Sequence, residues 1–310
     1  MSKIVIALGG NALGNSANEQ LTKAELAAKS IADLILAGHH VVIAHGNGPQ
    51  VGQIRLAFEN MGNDDPEKLM PFPECTAMSQ GYIGYHLQQA IDEELVARGV
   101  NDVPVVSMLT QVVVDPEDPA FKNPTKPIGG YYDEAAAKKI MDETGDIYKE
   151  DSGRGWRRVV PSPKPMDIYE KISLQTLVDA GQVVIACGGG GIPVVYHGKR
   201  YEGVDAVIDK DFAASKMAAL IDADVFIILT AVDHVFVNFG KDNQEALVDT
   251  RVEKMKEYIK EDQFAPGSML PKVEAAIDFA ESKAGRKAII ASLEQASEAI
   301  TGKSGTTVQQ

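Results

Sequence analysis

The sequence predicts an α/β protein: an open, mostly parallel sheet sandwiched between helices, with a small subdomain inserted as a lid. Three observations carry this expectation. Short apolar runs rich in β-branched residues (3–8, 41–44, 183–186 and 224–230) alternate with amphipathic stretches, the pattern of strands buried on both faces by crossover helices. Glycine loops follow three of these runs, at Gly9-Gly10-Asn11, Gly46-Asn47-Gly48 and Gly188 to Gly191. From 115 to 166 the texture changes. Prolines stand at 116, 119, 124, 127, 161, 163 and 165, charges are dense, and apolar residues recur with no clear period. A structureless loop of that length is foreign to a compact domain, so an inserted lid is expected, with Tyr131, Tyr132, Tyr148, Trp156 and Tyr169 forming a small core of its own.

In chain order, 3–8 reads as the first strand, ending in glycines. Residues 19–37 carry apolar side chains at Leu21, Leu26, Ile31, Leu34 and Ile35 and stop at Gly38, the habit of an amphipathic helix. Residues 40–44 form the second strand and run into His45-Gly46-Asn47-Gly48-Pro49-Gln50-Val51-Gly52, behind which a helix begins. Residues 76–98 read as helix and 103–114 as strand. After the lid, 167–180 reads as helix, 182–187 as strand and 194–200 as a hairpin turning at His197-Gly198. Asp209-Lys210-Asp211 opens a helix reaching 221, 224–230 is a buried strand, 252–259 and 271–284 are helices, and 286–291 is a last central strand. In open parallel sheets ligands lie outside the carboxyl ends of the strands, where the glycine loops fall. One domain spanning 1–310 is expected, with the lid at 115–166.

The chain of 310 residues is long enough for a substantial core, and its 45% hydrophobic and 24% charged content is that of a soluble globular protein. Two cysteines, Cys75 and Cys187, supply neither a disulfide framework nor zinc-ligand spacing, which points to a reducing, cytoplasmic setting. The apolar N-terminal run is too short for a secretion signal or a membrane span. A net charge of −14 argues against nucleic acid and membrane surfaces as partners. It also requires any anionic substrate to be drawn in by local positive groups.

Three glycines between positions 46 and 52 leave backbone N–H groups open to a ligand, and the helix behind adds its positive end. Such loops suit phosphate or carboxylate oxygens. A dinucleotide-binding fingerprint is excluded, because Asn11 stands at its middle glycine and the second strand ends in His45-Gly46 rather than an acidic residue. Gly302-Lys303-Ser304 imitates a Walker A loop, but its first glycine position is Ser297 and it follows a helix. With Lys126, Lys210 and Lys272, the loops fit phosphoryl transfer, which needs positioning and charge stabilisation. Asp209 and Asp211 are both candidate carboxylates for magnesium. Each residue has a plainer reading. Lys210 is also what a solvated helix start capped by Asp209 looks like, Lys272 and Lys126 sit where surface lysines are common, and His45 at a strand end reads as a packed residue before a base. The residues support a nucleotide-dependent phosphotransferase acting on a small acid. They leave carbamate, acetylglutamate, aspartate and a nucleoside monophosphate open, and also a non-catalytic anion sensor, although a sensor has no need of the three lysines.

Five motifs in order, residues 7–13, 45–52, 126–129, 209–211 and 267–272, resemble the carbamate kinases of the amino acid kinase superfamily across essentially the whole chain. The resemblance implies an open α/β/α sandwich, a homodimer, and the reaction ATP + carbamate ⇌ ADP + carbamoyl phosphate with Mg²⁺, run toward ATP in arginine deiminase catabolism. It implies that Gly9, Gly10, Asn11, Gly46, Asn47, Gly48 and Gly52 hold carbamate and the transferring phosphoryl group. Lys126 would reach in from the lid, Lys210 and Lys272 would contact phosphates, and Asp209 would orient the lysines. Ala231, Val232, Gly267, Met269 and Leu270 would wall the adenosine. Tyr131 and Tyr132 depart from the family's usual residues after Gly129-Gly130.

Overall fold

A computed structural model describes residues 2–9, 14, 16–62, 68, 70–151 and 153–310. Its centre is an eight-stranded sheet in the order Asp249–Arg251, Thr306–Gln309, Lys287–Ser292, Val225–Thr230, Lys3–Leu8, His40–His45, Val183–Ile185, Val105–Ser107. All neighbours run parallel except Thr306–Gln309, which returns antiparallel to Lys287–Ser292. The strands are apolar on both faces because both faces are covered. Ile4, Ile6 and Leu8 point toward helices Ala17–Leu36 and Phe72–Ala97, while Val5 and Ala7 point toward helices Lys210–Leu220 and Leu270–Glu281. Side chains alternate in direction along a strand, so two apolar faces require the near-continuous apolar runs seen in the sequence.

Lys3–Leu8 lies where the sheet order reverses. The elements that follow it directly build one flank, and the C-terminal strands build the other. Adjacent loops therefore diverge at its carboxyl end and open a crevice. The Gly9 N–H donates to Leu229 O at 3.0 Å and the Gly46 N–H to Leu8 O at 3.2 Å, so both loops leave from fixed points on that edge.

The run 103–114 is two strands rather than one. Val105–Ser107 closes the central sheet, while Gln111–Val114 joins a second sheet with Ile192–Tyr196, Tyr201–Gly203 and Pro165–Ile168. The cause is the buried Gln80 amide, which accepts from Thr110 N at 2.9 Å and donates to Thr110 O at 3.1 Å, holding the backbone out of the first ladder. Residues 167–180 likewise divide into the strand Pro165–Ile168 and the helix Lys171–Asp179. Pro165–Ile168 pairs antiparallel with Gln111–Val114, and these two strands form the stem from which the inserted segment rises.

That segment is more regular than its proline content suggests. Strands Lys126–Tyr132, Trp156–Val160 and Tyr148–Glu150 make a three-stranded sheet, and Glu134–Thr144 is a helix. Asp133 caps this helix by accepting from Ala136 N, and Gly145 ends it in the left-handed conformation. Of the aromatic set, Tyr132 and Tyr148 pack edge to face at 5.6 Å, whereas Tyr169 meets Tyr201 outside the segment at 4.6 Å. The segment rests on the helix Gly48–Gly62 through a small core of Val51, Phe72, Ile128, Val160 and Val207.

Candidate active site

The strand His40–His45 delivers the central glycine loop to the crevice, and the helix Gly48–Gly62 starts directly behind it. Several polar groups here hold the loop in place. Asn47 is 3% exposed and donates from Nδ2 to Ser79 Oγ at 2.8 Å; the Gln50 amide donates to Gly14 O at 3.0 Å. His45 is buried with Nδ1 2.9 Å from Gly46 O. Burial pulls its pKa down to about 4; the Gly46 carbonyl opposes this and Lys210 adds to it. His45 is therefore a neutral packed residue at ordinary pH and a poor candidate for a base.

The third glycine loop serves packing more than anion capture. A Cβ on Gly188 would stand 2.3 Å from His45 Nε2, one on Gly189 would stand 2.1 Å from Asn47 Nδ2, and Gly190 and Gly191 press on Ile208 and Val112. Only Gly189 of the four reaches the cavity wall.

Asp209 caps the helix Lys210–Leu220, its Oδ1 accepting from Asp211 N at 2.8 Å. Its Oδ2 accepts from the Lys126 ammonium, which arrives from the first strand of the inserted segment. Asp211 is 2% exposed; its Oδ1 accepts from Lys210 and its Oδ2 from Lys272 at 3.0 Å. Three ammonium groups thus share two carboxylates. Burial would raise the Asp209 pKa, but Lys126 and then Lys210 outweigh it and hold the carboxyl well below the usual range. For Lys210 burial dominates and lowers the pKa, opposed by Asp211 and assisted by Lys272. For Lys272 burial is outweighed by Asp211, and its pKa stands above the ordinary value.

Two cavities meet at this cluster. One of about 860 Å³ is lined by the central glycine loop, the inserted segment and all three lysines. The other, about 650 Å³, is walled by Gly9, Ala231, Val232 and Met269, and shares Lys23, Gly267, Ser268 and Lys272 with the first. The larger cavity presents Lys23, Lys126, Arg154, Arg157, Lys210 and Lys272 against Asp151, Asp209 and Asp211. Its lining is therefore net positive within a chain of net charge −14, the local attraction an anionic ligand requires.

Of the residues expected from the sequence, Gly46, Asn47, Gly48, Gly52, Lys126, Asp209, Lys210, Asp211 and Lys272 line the larger cavity, and Gly9, Ala231, Val232, Gly267 and Met269 the smaller. Leu270 lines neither and packs against the core. Gly10 and Asn11 lie outside the described residues. Asp211 has both oxygens engaged by lysines, and among the described residues no group of three His, Cys, Asp or Glu side chains is placed to hold a metal. Lys23, Arg154 and Arg157 were not anticipated. The two arginines share Asp151, at 2.9 and 3.3 Å, and lie over the Tyr131 ring at 5.3 and 5.1 Å. The dense Gly-Arg-Gly-Trp-Arg-Arg stretch was the only sequence signal for them.

This arrangement agrees with the comparisons. The model of the amino acid kinase family matches residues 2–292. A carbamate kinase of Clostridium perfringens is 56% identical over 314 residues, covering 99% of each chain. A carbamate kinase-like protein of Escherichia coli is 53% identical over 309 residues, again 99% of each. The structure of carbamate kinase from Giardia lamblia bound to AMP-PNP matches with a TM-score of 0.89 at 42% identity, covering 99% of this chain and 98% of that one. With likeness of that extent laid over a lysine cluster between two cavities, the chain belongs to the amino acid kinase family, in its carbamate kinase branch.

Proposed function

We propose that this protein catalyses ATP + carbamate ⇌ ADP + carbamoyl phosphate. The observation that carries the proposal is the trio Lys126, Lys210 and Lys272, held on Asp209 and Asp211 in the wall of the larger cavity, with Lys272 also lining the smaller one. The smaller cavity takes the nucleotide and the larger one the small acid, which brings the transferring phosphoryl group to the lysines. In the ATP-forming direction a β-phosphate oxygen of ADP attacks phosphorus, the bond from phosphorus to the carbamoyl oxygen breaks, and carbamate leaves with that electron pair. Charge spreads over three equatorial oxygens in such a transition state, and ammonium groups already aimed at them need little reorganisation. Carbamate is itself an anion, so no base is required, in keeping with a buried neutral His45.

Magnesium enters this reading as part of the nucleotide, held by phosphate oxygens and water, since both Asp211 oxygens are occupied by lysines. Residues 115–166 act as a lid that carries Lys126 and excludes water. A homodimer is proposed at the edge strand Val105–Ser107, beside which Tyr85 and Leu109 are 60% and 56% exposed. Two buried free cysteines suit a cytoplasmic setting, and among the described residues no helix is long and apolar enough to cross a membrane. Net ATP formation in arginine deiminase catabolism is the proposed physiological direction.

The test is ATP production from ADP, Mg²⁺ and carbamoyl phosphate, read through hexokinase and a dehydrogenase. Turnover is expected. No ATP above background, with phosphorylation of acetylglutamate or aspartate by ATP instead, would overturn the carbamate assignment. Nucleotide binding with no turnover of any small acid would favour a sensor.

A further inference from the structure

We propose that Glu59 is a positioning residue for Lys126: from the helix behind the central glycine loop it holds Arg158 of the lid, and so seats the strand that carries the Lys126 ammonium to Asp209. The inference rests on the phosphotransfer reading above.

The lid strands Lys126–Tyr132 and Trp156–Val160 keep antiparallel register from Lys126 opposite Val160 to Ile128 opposite Arg158. Whatever fixes Arg158 therefore fixes the end of the strand that bears Lys126. Ile128 and Val160 sit in the small core with Val51 and Phe72, a contact that draws the two surfaces together but has no direction of its own. The polar edge of the same contact supplies direction. Glu59 Oε1 accepts from Arg55 Nε at 2.7 Å, one turn earlier on the same helix, and from Arg158 Nη1 at 3.0 Å. Arg158 Nη2 donates to Asp146 Oδ1 at 2.6 Å, inside the lid. One planar guanidinium thus spans lid and body, which the point charge of a lysine cannot do. The Arg55 and Arg158 guanidiniums also lie over the buried Phe72 ring, at 5.1 and 5.3 Å.

Burial separates this group from the ordinary ion pairs of the lid. The side chains of Arg55, Arg158, Asp146 and Glu59 are 13%, 17%, 25% and 31% exposed, against 59–74% in the pairs Lys138–Glu134 and Lys139–Glu143 on the lid helix. Exposed pairs of the latter kind contribute little. A partly desolvated guanidinium loses more when its acceptor is removed. The four charges balance, and none of these side chains lines either cavity. Glu59 therefore acts on the reaction through the lid, not by touching a substrate.

The experiment measures melting temperature, kcat and KM for both substrates in Glu59→Ala, made in the wild-type and in the Lys126→Ala backgrounds. In the wild-type background kcat is expected to fall about tenfold, with KM for ADP within about twofold, because a displaced catalytic group is felt strongly. In the Lys126→Ala background the same substitution is expected to change kcat by less than about twofold, since the group it positions is gone. Arg158→Lys keeps the test decisive if Glu59→Ala folds poorly: it retains the charge, cannot span Glu59 and Asp146, and is expected to give the same pattern. An unchanged kcat in Glu59→Ala, or an equal fall in both backgrounds, would overturn the proposal and leave the phosphotransfer reading intact; the equal fall would make Glu59 a support of the fold alone. Absence of wild-type turnover would overturn that reading itself, and this proposal with it.

Discussion

Gly52 gives a prediction whose size follows from the coordinates. Its Cα faces the lid strand so closely that an added Cβ would lie 2.3 Å from Gly129 Cα and 2.4 Å from Gly129 N. Carbon atoms in contact sit about 3.5–4.0 Å apart, so Gly52→Ala must drive the lid strand away by roughly 1.2 Å or more. The obstruction is backbone, not a flexible side-chain tip, and cannot rotate aside. Lys126 lies three residues before Gly129 on that strand and ends on Asp209, so the displacement pulls its ammonium off the cluster. A shift of that size in a catalytic group costs about 10²-fold in rate. Lid docking through Val51, Phe72, Ile128 and Val160 also loosens, with an overpacking cost of about 1–3 kcal/mol. We therefore expect Gly52→Ala to lower kcat about 10²-fold while ADP affinity, measured calorimetrically, stays within about twofold. A kcat within twofold of wild type would refute the argument that this contact seats Lys126. A raised KM for carbamoyl phosphate at unchanged kcat would instead make Gly52 a direct substrate contact.

Two further outcomes follow from the same cluster. Lys210→Ala should lower kcat by about 10²–10³ in the coupled assay while the protein melts normally; an unchanged rate would leave Lys210 as a structural partner of Asp211 only. His45 makes stability pH-dependent in a defined direction. Its folded pKa of about 4 lies below the ordinary 6.5, so the unfolded chain binds the proton more readily, and the contribution is present above pH ~6.5 and lost as pH falls toward 4. Denaturant titrations should show wild type losing roughly 2–3 kcal/mol more than His45→Gln between pH 7 and 4.5; equal losses would show that His45 titrates normally in the folded protein.

Features governed by near neighbours in the chain were legible in the sequence. The strands of the parallel sheet follow from apolar runs that must be buried on both faces, and Asp209 as a helix cap followed by Lys210 and Asp211 follows from capping chemistry within one turn. The glycine loops could be placed at the crevice because strand ends and helix starts are local signals. Partnerships across the fold could not be read this way. Lys126 meets Asp209 across 83 residues and Lys272 meets Asp211 across 61, and no periodicity encodes either pairing. The same limit explains the single strand expected over 103–114, which the remote Gln80 amide divides, and the antiparallel strand Thr306–Gln309, which was not anticipated. It also explains why the four glycines at 188–191 look like an anion loop yet mostly make room for His45, Asn47, Ile208 and Val112. A glycine's sequence position shows that a side chain is missing there. Whether protein or ligand fills that space depends on which backbone the fold brings opposite, and that is decided only when the sheet and lid assemble.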